Sequence, residues 1–267
     1  MEKTNSYTKK NIIDNIKEIE ELLGLNMNKP TTILTNMNVY KSSNKENQYT
    51  FISNKNNENT LPLVYIYNTH DEEKYIGNQE LNITPTVKDA SNYLKEKLEQ
   101  IGIKTIIETR SIKEVLNNNN WDYTQSYKAS RIYLEEIKNQ YPSIKIFIDL
   151  HRDAVPSYSS TIIINDKSYA KILFVIGKEH NNYKENLEYT KSINNIIESK
   201  YPTLTKGILE KEGIGVNGIY NQDLSSNIIL MEVGVYLPYT VNGMRYILIS
   251  SVSTLKNKKR NRKNAWW

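Results

Sequence analysis

Leu63-Val64-Tyr65-Ile66-Tyr67 is the stretch on which the reading of the fold turns. Five consecutive apolar side chains are expected of a strand buried on both faces, and such strands belong to parallel sheets covered by helices. The run ends in Asn68-Thr69-His70. Beyond it, Thr84-Pro85 reads as a helix cap followed by proline in the first turn. Val87, Ala90, Tyr93, Leu94, Leu98 and Ile101 follow at helical spacing, and Gly102 ends the helix. Ile103 to Thr109 reads as a second strand, residues 116–125 as an Asn-rich loop, and Tyr127 to Asn139 as a second helix stopped before Pro142. Ile144-Lys145-Ile146-Phe147-Ile148 is a third strand. This alternation implies an α/β fold: an open, mostly parallel twisted sheet with helices on both faces.

Further along, Thr161–Ile164 and Ala170–Ile176 read as a hairpin or as adjacent strands around a turn at Asn165-Asp166-Lys167. A helix is expected from Tyr183 to Ser199, a buried strand at Ile228-Ile229-Leu230-Met231, and a last helix over Val241–Leu255. Before the sheet, Asn11–Leu25 carries Ile12, Ile13, Ile16, Ile19, Leu22 and Leu23 on one helical stripe. The expected organisation is therefore an N-terminal helical extension (1–35), a linker or irregular loop (36–60), a catalytic domain (61–255) and a basic tail (256–267).

Composition narrows the classes. Of the 267 residues 38% are hydrophobic, enough to bury a core, so wholesale disorder is excluded. The net charge of +5 is concentrated in the tail from Lys256 to Lys263, and the body is nearly balanced, which gives no footprint for nucleic acid. There is no cysteine, which removes thiolate metal sites, cysteine nucleophiles and disulfides. No apolar run approaches the ~20 residues that span a bilayer, and Met1-Glu2-Lys3-Thr4 does not open a signal peptide. Either the protein is cytoplasmic or its anchor lies outside this chain. Glycine-rich phosphate loops, dinucleotide fingerprints and the Gly-x-Ser-x-Gly elbow are missing from the sequence.

Chemistry is expected where apolar strands end, because ligands of open α/β sheets bind at the strands' carboxyl ends. Strand 63–67 leads to His70, strand 144–148 to Asp149-Leu150-His151, and strand 228–231 to Glu232. Two of the chain's three histidines and a glutamate would share one rim. A catalytic zinc ion takes three protein ligands and keeps one place for water. His70 and His151 supply two of them, Glu232 suits a general base, and the third ligand is open among Asp71, Glu72, Glu73 and Glu80. Each residue also has a plainer reading. A lone His70 would be a hydrogen-bonded loop residue. Arg152 and Asp153 either orient His151 or form a surface ion pair. Glu73 supports its loop or contacts substrate. His180 is a solvated residue before a helix. Tyr127 and Arg131 pack or cap. Asn221, Gln222 and Asp223 bind substrate amides or make a turn. Glu232 within an apolar strand is costly unless paired or functional, which favours a site.

Several separated segments, in order, resemble the stage II sporulation protein P family. They are Tyr67-Asn68-Thr69-His70-Asp71-Glu72-Glu73-Lys74-Tyr75, Ser126-Tyr127-Lys128-Ala129-Ser130-Arg131, Phe147-Ile148-Asp149-Leu150-His151-Arg152-Asp153, Phe174-Val175-Ile176-Gly177, Asn217 to Leu224, and Leu230-Met231-Glu232-Val233-Gly234. The resemblance covers about residues 61–255. It implies kinship with the zinc N-acetylmuramoyl-L-alanine amidases and hydrolysis of peptidoglycan, by amidase and endopeptidase action, during forespore engulfment. It implies one zinc ion on His70, Glu80 and His151, with Glu232 as the catalytic carboxylate. It further implies a membrane-anchored protein acting outside the cytoplasm with the stage II sporulation proteins D and M. Two positions depart from the family pattern: Asn68 replaces a histidine, and Val233-Gly234-Val235 replaces Phe-Gly-Gly. Two other functions remain open on the same fold: a non-enzymatic wall-binding module, and a zinc peptidase or deacetylase.

Overall fold

A computed structural model describes residues 61–76, 84–100, 102–164 and 167–235. The chain divides into Met1–Thr60 and Leu61–Trp267, and every described residue belongs to the second unit. The expected elements at 11–25 and 241–255, the linker, the basic tail and Glu80 lie outside the described residues.

The apolar run forms strand β1 (Val64–Tyr67), with all four side chains buried. Helix α1 (Val87–Glu99) follows, then β2 (Thr105–Ile107). The cap of α1 is Thr86 rather than Thr84. Thr86 accepts from Asp89 N–H while the Asp89 carboxylate accepts from Thr86 N–H. This reciprocal box needs an acceptor three residues after the cap, which Thr86 has and Thr84, followed at that distance by Val87, lacks. The Asn-rich stretch expected as loop opens on a short helix, α2 (Ile112–Asn118). Ser111 caps it, and Ile112 and Leu116 turn inward against Ala129 and Tyr133. A 3₁₀ turn (Tyr123–Gln125) then leads into α3 (Ser126–Gln140).

Strand β3 runs over Ile146–Arg152, longer than its apolar core suggests. A one-turn helix, α4 (Ser157–Ser160), precedes a small antiparallel hairpin, β4 (Thr161–Ile164) with β5 (Lys167–Ala170). The apolar stretch 170–176 is thus divided, because β6 (Ile172–Gly177) belongs to the main sheet. Helix α5 (Tyr183–Lys200), strand β7 (Thr205–Lys211), a 3₁₀ turn (Gln222–Leu224) and strand β8 (Ile228–Val233) complete the described chain. Strand β7, Thr-Lys-Gly-Ile-Leu-Glu-Lys, was not expected. It is mostly polar, carries a glycine at φ +87°, and among the described residues forms the edge of the sheet.

The six-stranded sheet has the order β2-β1-β3-β8-β6-β7. Strands β2, β1, β3 and β8 are parallel, and β6 joins β8 antiparallel with β7 parallel to β6. The sheet is therefore mixed, mostly parallel. Helix α3 lays Leu134 and Ile137 on Tyr65, Tyr67 and Phe147. Ser91 of α1 bonds the side chain of Asn68, which alternates with Tyr67 and so lies on the opposite face. Helix α5 packs along β6, β7 and β8.

At the carboxyl end of β8 the hairpin arm comes very close. A Cβ on Gly234 would lie 2.0 Å from the backbone oxygen of Ser160. Gly234→Ala is expected to lower stability by about 1–3 kcal/mol, because backbone cannot move aside as a flexible side chain can. A urea midpoint equal to the parent protein's would contradict this.

Candidate active site

Parallel pairing of β1, β3 and β8 sets Tyr67 beside Asp149 and His151 beside Glu232. Asp149 and His151 are two residues apart on one strand, so both project to the face that α3 covers. The sequence placed Asp149, His151 and Glu232 just beyond their strands. Instead β3 and β8 continue through them, which fixes their side chains on ordered backbone and not on loops. His70 follows β1 in a turn, and its ring meets that of His151 edge to face, with centroids 5.2 Å apart. The two imidazoles that the sequence proposed as partners are therefore brought together.

Tyrosines wall the pair. Tyr123 stacks on His70 at 4.7 Å and 23°. Tyr127 meets His70 edge-on at 5.7 Å and stacks over His151 at 6.3 Å, and Tyr220 abuts Tyr127. Tyr127, half of whose sequence reading was packing, forms this wall. Arg131, one turn on, is held by Glu135 and Asp223.

A buried polar chain holds the histidines from behind. Asp149 accepts from Thr69 N–H at 2.9 Å and from Thr69 Oγ1 at 2.6 Å, and its Oδ1 lies 3.0 Å from His151 Nε2. That last contact is at ion-pair distance but off the ring's N–H direction, so Nε2 has no well-aligned partner. Ser130 Oγ lies 2.9 Å from Thr69 Oγ1, whose one proton goes to Asp149, and the Asn221 amide donates to Ser130 Oγ and to the Tyr127 carbonyl. Asn221, at φ +57°, and Gln222, which accepts from Gly177 N–H and donates to the Val175 carbonyl, thus build the local backbone. Their amides are occupied by the turn reading. Asn68, where the family pattern has histidine, is buried and donates to the Leu150 carbonyl.

Arg152 and Asp153 do not hold the His151 ring. Asp153 pairs with Lys206 at 2.7 Å, and the Arg152 N–H donates to Glu73 Oε2 at 2.7 Å. Glu73 is thereby tied to β3, with Oε2 3.7 Å from His151 Nδ1. His180 lies elsewhere in the contact network, bonded to Asn182 before α5.

The charges are unevenly balanced. Burial, aided by the neighbouring His151, lowers the His70 pKa to about 4. Burial also opposes a charge on His151, but Asp149, Glu232 and Glu73 outweigh it and raise His151 to about 9. Burial lifts Glu232 above the usual carboxylate range, with Glu73, Asp153 and Asp149 adding to the rise and His151 opposing it. Glu73 is raised by burial against the pull of His151 and the Arg152 N–H. A buried site with this many carboxylates holds a cation more readily than it holds their charges unpaired.

Among the described residues no three His, Asp or Glu side chains are grouped closely enough to hold a metal ion between them. The fit of a zinc ion rests on smaller observations. His70 Nδ1 is buried with no hydrogen-bond partner, as a nitrogen would be whose partner is an ion. The 3.7 Å between His151 Nδ1 and Glu73 Oε2 is too long for a hydrogen bond. It is close to the ~3.4 Å that separates two ligand atoms on one tetrahedral zinc ion. Asp149, 3.0 Å from Nε2, sets a carboxylate charge beside the His151 ring, where ligand histidines commonly have one. The donor atoms available to a cation here are His70 Nδ1 and the His151 Nδ1–Glu73 Oε2 pair. Glu73 was one of four open candidates in the sequence, and Asp149 was missed although its spacing from His151 was legible.

The family model for stage II sporulation protein P matches residues 2–239. The stage II sporulation protein P of Bacillus subtilis (strain 168) is 32% identical over 180 residues, which are 64% of this chain and 45% of that protein. The chain thus spans less than half the length of that relative. Among solved structures, the CwlD amidase from Clostridioides difficile in complex with the GerS lipoprotein aligns over 73% of this chain and 97% of its own, at 12% identity and a TM-score of 0.43. With motifs in order along the sheet and a family match that covers most of its length, the chain belongs to the stage II sporulation protein P family.

Proposed function

We propose that this chain is a zinc-dependent peptidoglycan hydrolase, an N-acetylmuramoyl-L-alanine amidase that separates glycan strand from stem peptide and also acts as an endopeptidase in forespore engulfment. The observation that carries the reading is the approach of His70 and His151, rings 5.2 Å apart, on a rim that also holds Glu73 and Glu232. Family membership supports the substrate.

His70, His151 and Glu73 would hold one zinc ion, with the Asp149 carboxylate beside the His151 ring. A bound zinc ion polarises the scissile carbonyl and makes a nearby water acidic enough to act near pH 7. Glu232 takes a proton from the attacking water and passes it to the departing nitrogen. A C–O bond forms, the C–N bond breaks, and the products are a carboxylate on the glycan's lactyl group and a free amine on the stem peptide. The raised proton affinity of Glu232 suits a group that must both accept and give up that proton. Among the described residues no helix is long and apolar enough to cross a membrane. A membrane anchor elsewhere in the full-length protein, action outside the cytoplasm, and association with the stage II sporulation proteins D and M are proposed with the activity on family membership.

Purified peptidoglycan incubated with the zinc-loaded protein should release stem peptides carrying a free N-terminal alanine, and chelation should stop the release. Product mass spectrometry separates this from deacetylation or from peptide-bond cleavage alone. Wall binding with no released fragment would replace the hydrolase by a binding module. The third ligand has its own test. Glu73→Gln should cut zinc affinity at least ten-fold, read by competition with a chromophoric chelator, while Glu80→Gln keeps it. The reverse pattern would give the third place to Glu80.

A further inference from the structure

The proposed reactive groups stand in a row set by the sheet. Strand order β1-β3-β8 puts His70 at one end, His151 in the middle and Glu232 at the other. Tyr123 stacks on His70, the β1 member of the row. One face of its ring is committed to the imidazole of His70, yet the residue is 60% exposed. It opens a 3₁₀ turn whose cap, Asp122, exchanges hydrogen bonds with the turn in both directions. The ring is therefore a held surface beside the site and not a free surface side chain.

Two arguments meet on this ring. The first is chemical. The face of an aromatic ring is electron-rich, and the C–H groups of a pyranose carry the complementary charge on a flat apolar side. The second is directional. A proton can reach the departing amine only if that nitrogen lies within hydrogen-bond range of Glu232. The amine belongs to the stem peptide, and the acyl half of the bond belongs to the glycan. The peptide then leaves past β8, and the sugar lies on the side of His70, on which Tyr123 stacks.

Resting on the hydrolase reading above, we infer that substrate crosses the strands in one direction, with the sugar next to the cleaved bond stacked on Tyr123 and the stem peptide running past Glu232. Tyr123 is a substrate-binding residue of the glycan side. The plainer role, a ring that merely steadies His70, predicts lost zinc affinity on truncation and no selective loss of sugar binding.

The test compares Tyr123→Ala and Tyr123→Phe with the parent protein, all zinc-loaded. The probes are peptide-free glycan strands and free stem peptide, measured by calorimetry. Tyr123→Ala should bind the glycan strands about ten-fold more weakly, bind stem peptide unchanged, keep its zinc, and raise KM for wall more than it lowers kcat. Tyr123→Phe, which keeps the ring and the fold, should match the parent protein. The inference is overturned if Tyr123→Ala binds glycan normally, if it loses stem peptide instead, if it loses zinc in proportion to glycan, or if Tyr123→Phe is as weak as Tyr123→Ala. Failure with a parent protein that still releases stem peptides removes this inference alone. A parent protein that neither binds the strands nor releases peptide removes the hydrolase reading as well.

Discussion

Glu232→Gln should release stem peptides at least a hundred-fold more slowly than the parent protein, with zinc content and urea midpoint close to unchanged. The amide keeps the size and planarity of the carboxyl group but cannot take a proton from water. Removing a positioned acid–base group of this kind typically costs about 10²–10⁴-fold in rate. Glu232 is suited to the part by its place on β8, directly across from His151, and by burial that raises its affinity for a proton. Its neighbours Met231 and Val233 are buried and apolar, so the strand itself gains nothing from a carboxylate there. Zinc content is the control that separates loss of the base from loss of the ion. Full activity in this variant would remove Glu232 from the chemistry, and loss of zinc would recast it as a ligand.

The second large effect is expected at Asp149, which is fully buried and accepts two hydrogen bonds from Thr69 while facing His151 Nε2. Asp149→Ala leaves the Thr69 N–H and hydroxyl without their acceptor and removes the negative charge beside the imidazole. Breaking a buried charged network by deleting one partner costs about 3–5 kcal/mol. Losing the group that orients a ligand histidine lowers metal affinity about 10–100-fold. Urea unfolding reads the first effect, and chelator competition reads the second. Asp149→Asn separates them: the side-chain oxygen can still accept from Thr69, so stability recovers in part, while the missing charge keeps zinc affinity low. Parent-like zinc affinity in both variants would show that His151 needs no orienting carboxylate.

Stage II sporulation protein P membership and the pairing of His70 with His151 were legible because they depend on residue type and order alone. A continuous apolar run announces a doubly buried strand, and Leu63–Tyr67 and Ile228–Met231 behaved accordingly. Helical spacing announced α1, α3 and α5 to within a few residues. Edge strand β7 was illegible for the opposite reason. Among the described residues one side of it meets no neighbour strand, so its sequence need not be apolar, and its polar pattern resembles a loop. Helix α2 was hidden by asparagines that cap and end it. The antiparallel joining of β6 to β8 leaves no mark in either strand's composition, since both are buried whichever way they run.

The sequence by itself determined the α/β class, the apolar strands of the sheet and which imidazoles and carboxylates were available. Only the tertiary structure decided which of them meet. Asp149 and not Asp153 stands behind His151, because Asp149 lies within β3, while Asp153, at the same spacing, lies past the strand and is drawn to Lys206. Glu73 comes to His151 because the Arg152 N–H at the end of β3 binds its carboxylate, a contact across 79 positions of chain. Tyr123 reaches His70 through a turn between two helices. Distances of a few ångströms between residues far apart in sequence follow from strand register and helix packing, and no local pattern encodes them.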